Sequence, residues 1–316
     1  MIPPSTQNAS LWNRRDFGKL AAALPAAALA AKPDSKFGGV QIGCITYSFR
    51  QLPSTAADVL RYCTGLGISS IELMGDVAES FAGAPAGGPR GRREMTPELR
   101  EAMRKAADDR RRWRLSASMD RYKELRMMFN NAGVSIDLFK LPLTAAMSDD
   151  ECEYVFQVAK SLGAKCITME LPSDAALSER AGKFGSNHRI YVGYHNHMQV
   201  NAQSWDTALG QSKYNSINLD VGHFTQAISA SPIPFIREHH ARISSFHLKD
   251  KKYGSNGGGN TVWGQGQTPL VEILQLMAKA KYSWPANIEL EYDIPAGSDV
   301  LAEMAKCVGF CRKALS

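Results

Sequence analysis

The chain has 316 residues, 44% of them hydrophobic and 22% charged, and a formal net charge of +6. This is the composition of an ordinary globular protein, long enough for one large α/β domain or two smaller ones, and it excludes a disordered or fibrous chain. Six surplus positive charges are too few to argue for nucleic acid as a partner.

In chain order, the first segment stands apart. "NRRDFGKL" (13–20) precedes the short apolar stretch "AAALPAAALAA" (21–31). Paired arginines before such a stretch form an export signal. The RR-x-F-x-K pattern of Arg14, Arg15, Phe17 and Lys19 resembles a twin-arginine signal. The stretch is short and contains Pro25, so no stable membrane insertion is expected after its removal. Ala28-Leu29-Ala30 offers a cleavage site, dividing the chain into a signal at 1–30 and a domain at 31–316. Removal takes away Arg14, Arg15 and Lys19 against Asp16, leaving +4. The expected location is periplasmic or otherwise extracytoplasmic. Twin-arginine substrates cross the membrane folded, so the six cysteines are expected as buried thiols rather than disulfides.

From residue 38 onward, short apolar runs alternate with helical patterns. Strands are expected at 40–47, 69–74, 134–139, 164–170, 189–195, 216–222, 243–249 and 286–292. Helices are expected at 55–65, 97–111, 149–162, 268–280 and 298–314, with "SDDE" (148–151) opening one as a capping box. The arginine runs at 90–93 and 110–114 read as solvated surface. Eight strands alternating with helices predict a single (β/α)₈ TIM barrel. The alternative is an open doubly wound sheet, but no GxGxxG follows the first strand. Two irregular segments, 82–93 and 251–269, follow strand ends where barrel loops build sites.

In a barrel those ends converge. The fourth strand ends in Glu170 and the fifth in His195, with His197 two residues on, so both imidazoles are expected to face the mouth. Asp220 and His223 follow in "LDVGH", His247, Lys249 and Asp250 in "FHLKD", and Glu289 and Glu291 in "IELEY". Four successive strands thus end in His, Asp, His and Glu, nitrogen and oxygen donors suited to one divalent ion such as Mn, Mg, Co or Zn. Taken singly, Asp220 is also a helix cap and Glu289 the polar half of an alternating strand. His188, His239 and His240 read as structural or solvent-facing.

With "YHNH", "DVGH", "FHLKD" and "IELEYD" in order, the chain resembles the xylose isomerase-like barrels. That superfamily includes sugar phosphate isomerases and epimerases, inosose dehydratase-like members and the endonuclease IV fold. The resemblance spans about residues 38–316. It implies metal ligation by Asp220, His247 and Glu289, the last chosen over Glu291 by its distance past "YSWP". His195 falls where many members carry a glutamate ligand. The resemblance further implies that His223 contacts a substrate hydroxyl or moves a proton, and that Lys249 and Trp263 shape the substrate pocket; His197, a second ligand or a substrate contact, and Glu291 are also expected at the substrate. The ketose 3-epimerases use two metal-bound glutamates as acid and base, and His195 breaks that pair. Glu170 is then the candidate replacement base.

The expected function is a divalent-metal-dependent sugar isomerase or epimerase that abstracts a proton beside a carbonyl through an enediolate, with Glu170, Glu289 and His223 as catalytic residues. Its partner is a small-molecule sugar or keto-sugar, and a homo-oligomer is compatible. Elimination from a keto-sugar or keto-glycoside, by a lyase or dehydratase, shares the same first step. A non-catalytic sugar-binding barrel is the third reading. An endonuclease IV-like nuclease needs further histidines after the seventh strand, and "LKDKKYGSNGG" supplies none.

Overall fold

The segment Cys166–Glu170 shows how sequence sets the architecture. Successive side chains on a strand point to opposite faces. Ile167 and Met169 belong to the apolar core. Between them Thr168 reaches across to Glu72 on another strand, and Cys166 lies 3.5 Å from Ser244 Oγ. The same alternation repeats around a closed barrel.

A computed structural model describes residues 32–86, 96–254 and 259–316, so the expected export signal and the arginine run at 90–93 lie outside the described residues. The barrel strands are β1 (Val40–Ile45), β2 (Ser70–Met74), β3 (Ser135–Lys140), β4 (Cys166–Glu170), β5 (Tyr191–His195), β6 (Asn215–Asp220), β7 (Ile243–Leu248) and β8 (Ala286–Ile288). Each pairs in parallel with the next, and β8 returns to β1 through Ile42↔Ala286, Gly43↔Asn287 and Cys44↔Ile288. Lys36–Phe37 adds a short antiparallel partner to β1, which the sequence pattern did not anticipate.

The five expected helices form at Ala56–Leu66, Pro97–Arg114, Asp149–Leu162, Leu270–Ala280 and Val300–Ala314. The capping box is present: Glu151 N–H donates to Ser148 Oγ at 3.3 Å, and Ser148 N–H to Glu151 Oε2 at 2.9 Å. The apolar core joins strands to helices, with Tyr194, Trp205, Phe224 and Phe246 fully buried. Polar side chains also link neighbouring strands, as in Ser216–Ser244 at 3.0 Å and Asn218–Ser245 at 2.6 Å between β6 and β7. All six cysteines are buried and free. Among the described residues no helix is long and apolar enough to cross a membrane.

Three expectations are corrected. The sixth strand stops at Asp220 rather than 222, because Asp220 Oδ1 accepts the His223 N–H at 2.7 Å and caps the helix Val221–Ile228. Gly222 permits this sharp start, since a Cβ there would stand 2.5 Å from the Lys249 carbonyl oxygen. The eighth strand stops at Ile288, where Leu290 N–H turns to Ser48 Oγ at 3.0 Å. Finally, the run at 110–114 is only partly solvated. Arg110 and Arg114 bind the buried Glu79 carboxylate at 2.9 and 2.7 Å, while Arg112 remains exposed.

Candidate metal centre

Four strand ends bring together His195, Asp220, His247 and Glu289. All are buried, and one donor atom from each lies within 4.8 Å of the others. The β-ladder fixes part of this: Asp220 pairs with His247, and Glu289 N–H donates to the Leu248 carbonyl at 3.1 Å. Asn196, between the two histidines, ties the β5 end to β6. Its Oδ1 accepts the Asp220 N–H at 2.9 Å, and its Nδ2 donates to the Asp220 carbonyl at 3.2 Å. Asp220 therefore caps a helix with one oxygen and faces the cluster with the other.

Lys249 enters from the end of β7. Its Nζ lies 3.0 Å from Asp220 Oδ2, 3.1 Å from Glu289 Oε2 and 3.2 Å from His223 Nε2, and it donates to Glu291 Oε2. Glu291 is thus Lys249's partner, and Glu289 is the strand-end carboxylate of the four-residue group. His223 is buried over the cluster with its ring centroid 4.9 Å from that of His197.

Glu170 stands beside this group. Its Oε2 is 3.0 Å from His197 Nε2 and its Oε1 accepts from Lys140 Nζ at 3.1 Å. Glu170, His195 and His197 also place donor atoms within 4.8 Å of one another. The His195 and His197 ring centroids are 5.0 Å apart, and the Glu170 and His197 side chains are half exposed. These are the solvent-accessible groups at the mouth, whereas the four-residue cluster lies below them.

Residues that sequence reasoning missed support the cluster. Glu72 on β2, fully buried, lies 2.7 Å from His247 Nε2, and Asn218 Oδ1 lies 2.9 Å from His195 Nδ1. Lys140, at the end of β3, holds Glu170. The available signal for Glu72 is a lone acid in the apolar run "SSIELM", the same break in pattern that marks His247.

Charge states follow from burial and neighbours. Burial, with the His247 and Lys140 cations, pushes the His195 imidazole down to about 3, and burial lowers His223 to about 4. Burial also opposes charge on His247, yet Glu72 and Glu289 on either side outweigh it and raise this group to about 10. Burial disfavours the Glu170 carboxylate, but His197 and Lys140 overcome it and hold its pKa well below the usual range. Glu170 is therefore an ionised acceptor, and His197 is raised in turn by its bond to Glu170.

The loop after β7 is anchored by Asp250. Its carboxylate accepts the N–H groups of Gly264 at 2.8 Å, Gly266 at 2.9 Å and Thr268 at 3.2 Å. A Cβ at Gly266 would stand 2.0 Å from Asp250 Oδ1, so this wrap requires glycine. Trp263 on this loop is buried against Phe310, with ring centroids 5.5 Å apart, and makes no ring contact with the histidines. A cavity of 880 Å³ lined by Lys36, Lys165, Arg242 and Trp284 opens among residues at the opposite strand ends, and no expected site residue lines it.

Two imidazoles and two carboxylates offer the nitrogen and oxygen donors that Mn, Mg, Co and Zn accept. The Lys249 ammonium among Asp220, Glu289 and Glu291 shows that the surroundings are already arranged for positive charge. The residues fit a divalent cation.

No protein-family model matches the chain, and no curated protein is similar enough in sequence to match it. Solved structures are similar in fold. A probable 3-DHS dehydratase involved in petrobactin synthesis from Bacillus anthracis aligns over 85% of this chain and 99% of its own, at 16% identity and TM-score 0.59. A xylose isomerase domain protein from Planctomyces limnophilus aligns over 89% and 99%, at 12% identity and TM-score 0.58. The 3-keto-D-glucoside 4-epimerase from E. coli aligns over 87% and 99%, at 10% identity and TM-score 0.56. The fold is that of the xylose isomerase-like (β/α)₈ barrels.

Proposed function

We propose that the chain is a divalent-metal-dependent enzyme that isomerises or epimerises a sugar or keto-sugar by removing a proton beside the carbonyl. The observation that carries this reading is the buried convergence of His195, Asp220, His247 and Glu289 directly beneath the half-exposed pair Glu170–His197. A cation held by those four residues would polarise a substrate carbonyl and stabilise the charge of an enediolate. The chain's own groups do the rest. Glu170, ionised and held by Lys140, accepts the proton at a carboxylate oxygen. His197, bonded to the same carboxylate, carries that proton onward or returns it. His223, whose Nδ1 makes no hydrogen bond among the described residues, donates to a substrate hydroxyl, and Lys249, bound to Glu291, holds the Asp220 and Glu289 carboxylates in place.

Elimination is the second reading, favoured by a specific feature. At the β5 end stands an imidazole, His195, where a carboxylate would complete a symmetric acid–base pair with Glu289. A one-sided base suits loss of a β-oxygen as readily as reprotonation on the opposite face. The dehydratase and the keto-glucoside epimerase among the similar folds represent both outcomes, and export of the chain would favour an unphosphorylated substrate.

The test incubates purified protein with Mn, Mg, Co or Zn and a panel of free ketoses and 3-keto-glycosides in deuterium oxide. Metal-dependent wash-in of deuterium beside the carbonyl is the expected result, and an unsaturated product identifies elimination. Sugar binding without exchange under every metal would instead establish the non-catalytic barrel.

A further inference from the structure

Below the ligand cluster, the barrel interior holds a carboxylate that no step above uses. Glu72 is fully buried, as is its partner His247 across the barrel. A buried carboxylate costs several kcal/mol unless its oxygens are satisfied. Here they are: Oε1 accepts from Thr168 Oγ1 at 2.5 Å, and Oε2 faces His247 Nε2 at 2.7 Å and Asn287 Nδ2 at 3.3 Å. The three partners come from β4, β7 and β8, so the carboxylate is held from several sides and has little freedom to turn.

We propose that Glu72 is a positioning residue for metal binding, fixing which nitrogen of His247 faces the cluster. The proposal rests on the metal-binding reading above. An ionised carboxylate only accepts hydrogen bonds, and a neutral imidazole carries one N–H. Set between Glu72 and Glu289, His247 carries a proton on each nitrogen, and when a cation takes the place of the Nδ1 proton, Glu72 keeps the other proton on Nε2. The lone pair then sits on Nδ1, which points to Glu289 Oε2 at 2.9 Å, inside the ligand group. A carboxylate behind a metal-binding imidazole also makes it a stronger donor. His195 is prepared from the other nitrogen. Its Nδ1 faces Asn218 Oδ1 at 2.9 Å, whose amide nitrogen donates to Ser245 Oγ at 2.6 Å, leaving Nε2 for the cluster. The two histidines are therefore set by unlike groups, one an amide and one a carboxylate.

The experiment titrates Co(II) and Zn(II) into the full chain and reads affinity by competition with a chelator and geometry by the visible absorption of Co(II). Glu72→Gln keeps the shape but can present an N–H to His247, reversing the preferred tautomer. It should weaken both metals on the order of 10–100-fold and shift the Co(II) bands. Thr168→Val, which removes only a hydroxyl holding Glu72, should produce a smaller loss in the same direction. It keeps the test decisive where Glu72→Gln does not fold, since unchanged affinity would then overturn the proposal. Wild-type affinity and spectrum in folded Glu72→Gln, with binding lost in Asp220→Ala, would overturn the role of Glu72 alone. Absence of binding by the wild-type chain would overturn the metal reading itself.

Discussion

At the end of β5, two imidazoles two residues apart hold unlike places. His195 is buried beneath the surface and held by Asn218, whereas His197 is half exposed and held by Glu170. The sequence pattern placed both at the mouth and set His195 among the ligands, but the partners that hold each ring, Asn218 on β6 and Glu170 on β4, appear only in the fold. His195, Asp220, His247 and Glu289 were legible because each interrupts an apolar alternation at a strand end. Lys140 was not, because a lysine closing a strand reads as ordinary surface. The resemblance implied that Trp263 shapes the substrate pocket, and in the structure its ring packs on Phe310. Glu170→Gln preserves shape while removing the anionic acceptor. It should retain metal yet slow exchange of the substrate's α-hydrogen with solvent deuterium on the order of 10²–10⁴-fold. Unchanged exchange in a metal-loaded variant would pass the role to His197 or His223. His240→Ala, on an exposed ring stacked on Tyr282, should alter neither metal content nor exchange.

Among the elements, a helix start was legible where a local motif marks it. Ser148 and Glu151 announce a helix start through local chemistry, and the structure contains that pair of hydrogen bonds. Strand ends were less legible because tertiary partners decide them: the chain leaves its ladder after Asp220, whose side chain caps a helix, and Leu290 turns to Ser48. The loop after β7 drew notice by length and glycine content, but its organising group, Asp250, shows only in three dimensions. Hydrogen bonds to a charged acceptor are worth about 1.5–3 kcal/mol each. Asp250→Ala should therefore speed amide exchange at Gly264, Gly266 and Thr268 by at least about tenfold, with strand amides of the barrel unaffected. Equal protection in the variant would show that the loop is held by other contacts.

For the whole molecule, the repeat of strand and helix made the closed barrel legible, since eight parallel strands need crossovers that only helices of this length supply. Its polar interior was less legible: nothing in the strand pattern says that Thr168, Glu72 and Asn218, all buried, find their partners on other strands once the barrel closes. The export proposal belongs to this scale. Residues 1–35 fused to a folded reporter should carry it across the membrane, and replacing Arg14 and Arg15 with lysine should leave it inside. Continued export after that change would refute the twin-arginine reading. The function proposed here rests on one cation held where four strands end. Elemental analysis of the metal-reconstituted chain should find about one divalent ion per wild-type chain and none retained in Asp220→Ala, since losing a ligand costs more than losing a group behind it, itself on the order of 10–100-fold. Full metal content in folded Asp220→Ala, or none in the wild type, would contradict it.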